Sequence, residues 1–274
     1  MRRYIFCFTV LFSCTNSLQK ESKNEKKGHT PEKDVIEKYV TNGAHRYHYF
    51  SPEWQQYLDS AIEENPNIAY VYQQKAMPLF KMRKYEAGLP HLDRAVELDS
   101  AKYIDYRAFM KCIFSKSYSD AIGDFKKAKR IKGANGYVMD HSYDFYMGLS
   151  YLQLNKFDSA VNYIKKSTDY VRKQNGESWV HYLDLFYLGV AYMEIEKHSE
   201  AIAQFDKSLA IYSTFSDAEY YKSKSLARLG KQNEAKALFE KARNDFRMGY
   251  TINEDNAFYE KYPYQLFDWY FPKD

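Results

Sequence analysis

The sequence predicts an all-α protein, a solenoid of helix pairs with a capping segment at each end. Three observations carry that prediction. A small, large, small triplet at i, i+4, i+7 recurs five times, as Gly88/Leu92/Ala95, Ala121/Phe125/Ala128, Ala160/Ile164/Ser167, Ala201/Phe205/Ser208 and Ala235/Phe239/Ala242. This spacing puts three side chains on one helix face and lets another helix approach closely at both ends. Ahead of the triplets lies a second set with the same spacing, clearest in Tyr72/Ala76/Leu79 and Leu185/Gly189/Tyr192. Between the two sets stands a short turn at Lys84-Tyr85, Ser117-Tyr118, Lys156-Phe157, Lys197-His198 or Lys231-Gln232, so each repeat is an antiparallel helix pair.

Taken in order, the chain opens with Arg2-Arg3 and the apolar run Tyr4 to Phe12, too short to span a bilayer and suited to a signal-peptide core over residues 1–13. Leu11-Phe12-Ser13-Cys14 resembles the lipobox of bacterial lipoproteins, which implies a lipid on Cys14; Phe12 departs from the small residue usual at its slot. Cys7 lies inside the run, so only Cys14 and Cys112 remain, and the body has no intramolecular disulfide to draw on. Residues 14–33 gather five lysines and three glutamates with little apolar content, the composition of a flexible tether.

Residues 34–68 read as an N-terminal cap with a partial repeat: Trp54/Leu58/Ala61 closed by Asn65-Pro66 forms a second helix, while Asn42-Gly43 spoils residues 35–50 as a first helix. Five repeats then fill 69–248. Two of their gaps are lengthened at turn-rich stretches, Gly133-Ala134-Asn135-Gly136 and Lys173-Gln174-Asn175-Gly176, which read equally as insertions between helix pairs or as lengthened second helices. From Gly249 to Asp274 the pattern breaks into Phe258, Tyr259, Tyr262, Tyr264, Phe267, Trp269, Tyr270 and Phe271, an aromatic segment suited to capping the last repeat.

The repeat resembles the tetratricopeptide repeat, most clearly from Leu185 to Leu209 with Tyr187-Leu188-Gly189, Tyr192, Glu200-Ala201, Phe205 and Ser208-Leu209. That resemblance implies first helices lining a concave groove that takes a partner segment in extended form. The slots bordering the groove read Gln73-Gln74, Tyr106-Arg107, Phe145-Tyr146, Phe186-Tyr187 and Tyr220-Tyr221. Tyr106, Arg107, Phe145, Tyr146, Phe186, Tyr187, Tyr220 and Tyr221 are therefore the candidate ligand contacts. The track is aromatic and lacks the Lys and Asn set that grips a terminal carboxylate. Adjacent slots point about 100° apart, so one of each pair is also a candidate for inter-repeat core.

Several functions are disfavoured. Of the formal charge of +4, Arg2 and Arg3 carry half and the tether's lysine excess the rest, leaving a neutral body without the basic face of a nucleic-acid binder. No HExxH, CxxC, GxSxG or glycine-rich phosphate loop occurs, so catalytic residues, cofactors and a metal are not expected. His45/His48, Asp140-His141 and His181/Asp184 match no ligand spacing. The reading is a non-enzymatic scaffold for a protein or peptide partner, lipid-anchored in a bacterial cell envelope and facing the periplasm or the exterior. A carbohydrate-binding lipoprotein in nutrient uptake is the alternative, since aromatic faces also stack sugar rings.

Overall fold

A computed structural model describes residues 30–271; the signal segment, Cys14 and all but the end of the tether lie outside the described residues. The five expected pairs are α3 (Ala69–Lys81) with α4 (Tyr85–Leu98), α5 (Ser100–Ile113) with α6 (Tyr118–Lys132), α7 (Tyr143–Gln153) with α8 (Phe157–Asn175), α9 (Tyr182–Glu194) with α10 (His198–Ile211), and α11 (Ser216–Arg228) with α12 (Gln232–Arg247). Each helix packs on its pair partner, and each second helix packs on the following first helix. The first helices α5, α7, α9 and α11 also touch in succession, which makes them one face of a helix-pair solenoid.

The triplets do what their spacing predicts. All their members are buried except Phe239, which is half-buried on the terminal α12. Glycines on the facing helices let the large members in: a Cβ on Gly189 would stand 2.6 Å from Phe205, and one on Gly148 would stand 2.3 Å from Ile164. Within each pair the turn is closed by one residue at positive φ, namely Arg83, Lys116, Asn155, Glu196 and Gly230. This left-handed cap is the usual way to end a helix, and only the last position uses the residue that adopts it without strain.

Both ends differ from expectation. A helix α1 (Pro31–Val35), capped by the Thr30 side chain, begins ahead of the expected 33/34 boundary and runs on as π-helical turns over Ile36–Thr41. It packs on α2 (Pro52–Glu64), with Val35, Val40, Ala44, Trp54, Leu58, Ala61, Ile68 and Val71 in a small core of their own. Residues 35–50 thus supply a distorted first helix as far as Thr41, where Asn42-Gly43 stops it. Of the two long gaps, the first holds a two-stranded hairpin, β1 (Tyr137–Val138) and β2 (His141–Ser142). The second is mainly an extension of α8, which reaches 19 residues.

The aromatic tail does more than cap. After α12 it leaves Gly249 at φ +86° and crosses the first-helix face to the first pair. There Arg83 donates to Tyr259 O at 3.0 Å and Tyr85 donates to Glu260. It then returns, so that Phe271 packs on Phe239 and Phe246 of α12 at ring distances of 5.5 and 5.3 Å.

Candidate functional site

The tail occupies the groove that the repeat pattern left for a ligand. The Tyr187 hydroxyl donates to Pro263 O at 2.7 Å, Lys116 donates to Lys261 O at 2.6 Å, and Tyr264 donates to Glu194 at 3.0 Å. Asp217, buried at the start of α11, accepts from Leu266 N at 2.8 Å, Ile252 N at 3.2 Å and the Thr251 hydroxyl at 2.7 Å. One carboxylate therefore pins both limbs of the tail. Burial pushes its pKa up to about 6, against the pull of those donors.

This arrangement corrects the expected open track. Phe145, Tyr146, Phe186, Tyr187 and Tyr221 are buried. Phe186 is wedged between repeats, with ring centroids 6.1 Å from Phe205 and 5.0 Å from Phe215. Tyr146 lies parallel to Phe125 at 5.6 Å. Phe145 stacks on His141 at 4.0 Å, and Tyr221 meets Tyr264 of the tail at 5.7 Å. Burial holds the Tyr146 and Tyr187 hydroxyls far above the usual tyrosine pKa, so they act as neutral donors or packing groups. Tyr220 and Tyr106 are half-buried, Tyr220 edge-on to Tyr270 at 5.3 Å. Arg107 is committed within the fold, bidentate to Asp124 at 2.7 and 2.8 Å and bonded to Asp93 at 2.9 Å.

What stays open is the rim. A depression of about 1010 Å³ lies where the tail leaves α12, lined by His181, Tyr182, Tyr212, Tyr250, Asn253 and Phe258 among others. The tail exposes Phe258 (87 %), on the wall of this depression, and, outside its lining, Trp269 (73 %) and Phe267. A smaller hollow of about 230 Å³, lined by Tyr137, Asp140, His141, Tyr170, Trp179, His181 and Asp184, opens on the other side of His181.

Between the two hollows sit histidines that the sequence reading set aside. His141, on β2, is buried with Nδ1 2.8 Å from Asp184 Oδ1 and Nε2 3.6 Å from Glu254 Oε1 of the tail. Burial pulls its pKa down, but the two carboxylates win and raise it to about 9. His181, the N-cap of α9, is lowered by its surroundings and by the charge on His141. The two histidines precede successive first helices and stand one repeat apart. Aligning the repeats with each other was the signal that could have brought them together; motif spacing along the chain was not.

Comparison with known proteins bears on the scaffold. A model of the tetratricopeptide repeat matches residues 147–170. No curated protein sequence matches the chain significantly. Among solved structures, PilW, a widely conserved type IV pilus biogenesis factor, aligns with a TM-score of 0.61 at 12% identity, over 80% of this chain and 96% of PilW. A tetratricopeptide repeat protein from Parabacteroides merdae gives 0.61 at 14% identity, over 78% of this chain and 79% of that one. YrrB, a TPR protein with an unusual peptide-binding site, gives 0.51 at 23% identity, over 69% of this chain and 91% of YrrB. At these identities the likeness is one of fold, and the solenoid is of the tetratricopeptide type.

Proposed function

We propose that this chain is a non-enzymatic interaction scaffold that holds an extended segment of a partner protein on its first-helix face, in the depression beside the tail. The observation that carries this reading is the tail itself. From Thr251 to Leu266 it is irregular chain apart from one 3-10 turn at Asp255–Phe258, and the face grips it largely through main-chain groups: the carbonyls of Tyr259, Lys261 and Pro263 and the amides of Ile252 and Leu266. A surface that takes one non-α-helical segment by its backbone, with aromatic side chains around it, suits an extended partner segment as well. With Tyr146 and Tyr187 covered, Phe258, Phe267 and Trp269 provide the exposed anchors, the residue types on which interface energy concentrates. YrrB, of the same fold, has a peptide-binding site, which supports the reading.

We further propose that this scaffold sits in a bacterial cell envelope, anchored through Cys14 and facing the periplasm or the exterior, a reading supported by the lipobox-like Leu11-Phe12-Ser13-Cys14. That part rests on the resemblance alone; Cys14→Ser should lose incorporation of a labelled acyl chain. A second reading has one observation in its favour. The depression sets Asn253 and Asp255 beside Tyr212, Tyr250 and Phe258, the polar and aromatic mixture a sugar ring needs.

In-cell photocrosslinking of the full chain separates the two. A photoreactive residue in place of Phe258 should give a discrete protein adduct, while one in place of Lys236 on the exposed side of α12 should give none. A glycan in the adduct favours the alternative. Absence of any adduct at Phe258, or equal capture at Lys236, contradicts a partner site here.

A further inference from the structure

We propose that His141, His181 and Asp184 form a binding site for a divalent transition-metal ion of the zinc class, with Glu254 as its supporting carboxylate. One ligand atom from each of the three residues lies within 4.8 Å of the others. They come from two elements: β2 of the inserted hairpin, and the start of α9, which supplies His181 as N-cap and Asp184 from its first turn. His141 Nδ1 and Asp184 Oδ1 are 2.8 Å apart. Two ligands on one tetrahedral ion with bonds of about 2.0 Å stand roughly 3.3 Å apart, so a shift of about half an ångström admits the ion. His181 Nδ1 accepts the Leu183 amide at 3.4 Å, which puts the neutral ring's proton on Nε2; ligation through Nε2 moves that proton to Nδ1 and gives up this one long hydrogen bond. Two imidazoles with one carboxylate match the ligand preferences of zinc rather than those of magnesium or calcium.

The second observation is the far side of the His141 ring. Nε2 is buried without a hydrogen-bond partner, 3.6 Å from Glu254 Oε1. At that distance the ion pair with Glu254 is not a hydrogen bond, so the ring nitrogen has a carboxylate placed beside it but not engaged. Metal-bound histidines ordinarily donate their other ring N–H to a carboxylate, which fixes the ring and strengthens the ligand. Glu254 is placed to be that carboxylate. Because it belongs to the tail, an ion on His141 would couple the hairpin, α9 and the tail. His181 borders both hollows, so the cluster can be reached from solvent on the rim.

The test uses the full-length, tag-free chain, stripped with a chelator and titrated with Zn2+ by calorimetry and with Co2+ by visible absorption. The expected result is saturation at one equivalent, intense absorption of a four-coordinate Co2+ centre, and a higher melting temperature with Zn2+ than with chelator. His181→Ala should abolish the Co2+ bands and the Zn2+ stabilisation, with circular dichroism checking that loss of this exposed N-cap leaves the helix content intact. Glu254→Gln should weaken binding about 10-fold while leaving the stoichiometry unchanged. Changing His45 and His48 together to Ala should change nothing. Binding by His181→Ala equal to that of the unaltered chain, or loss of binding in the His45/His48 variant, overturns the assignment, as does a chain that takes up neither ion.

Discussion

The two sides of each helix pair are closed in different ways. On the second-helix side, Ala160, Ile164 and Ser167 or Ala201, Phe205 and Ser208 face the first helix of their own pair, with Ile164 against Gly148 and Phe205 against Gly189, each 16 residues away. On the first-helix side the aromatics are covered by the tail: Tyr187 bonds a carbonyl 76 residues on, and Arg83 one 176 residues on. The first kind of closure repeats with the period of the solenoid. The second occurs once, and it turns the surface where a repeat protein of this type would be open into interior.

The comparison predicts that aromatics under the tail behave as core. Tyr146→Ala should cost about 3 to 5 kcal/mol, the range for truncating a buried aromatic, and lower the melting temperature accordingly. A melting temperature within a degree or two of the unaltered chain would return Tyr146 to the surface and break the comparison on its first-helix side.

The triplet side is tested by overfilling. Ala201→Phe, at a position fully buried in α10, should cost about 1 to 3 kcal/mol, whereas the exposed Lys207→Ala should stay within about 0.5 kcal/mol in the same thermal melts. Equal effects would mean that the helix register is wrong.

These two cases also show how far the sequence was legible. The triplets could be read because a helix repeats its face every 3.6 residues and a solenoid repeats its pairs, so Ala121, Ala160, Ala201 and Ala235 stood in equivalent slots before any coordinates. The assignment of Tyr146 and Tyr187 to a groove followed the same periodicity and located them on the correct helices. What covered them was not periodic. Nothing in Pro263 or Leu266 names its partner, because a single long-range contact leaves no spacing to read. Arg107 looked like a ligand clamp for a related reason: Asp93 and Asp124, which hold it, lie on the two flanking second helices. The turns were legible by position but not by residue type, since four of the five left-handed caps carry Arg, Lys, Asn or Glu instead of glycine.

A smaller effect sharpens the role of Asp217. Its folded pKa, raised by burial to about 6 from an unperturbed 3.8, lies above the value in the unfolded chain. The folded state therefore holds its proton more tightly. The stability this contributes is fully present below pH 3.8 and is lost as the pH rises through about 6. Asp217→Asn, which keeps an acceptor but cannot ionise, should remove that slope. The difference in melting temperature between the two proteins should move in favour of the Asn variant as the pH rises from 4 to 7. A constant difference would show that Asp217 stays ionised under the tail throughout.

Hydrogen exchange resolved to single amides tests the central claim, that the tail is a folded part of the first-helix face. The account predicts that the amides of Ile252 and Leu266, both donated to buried Asp217, are protected to a degree comparable with the amides of α7 and α9 in the full-length chain. Exchange of these two amides at the rate of a free peptide, while α7 and α9 remain protected, would contradict it and leave Tyr146 and Tyr187 facing an open groove.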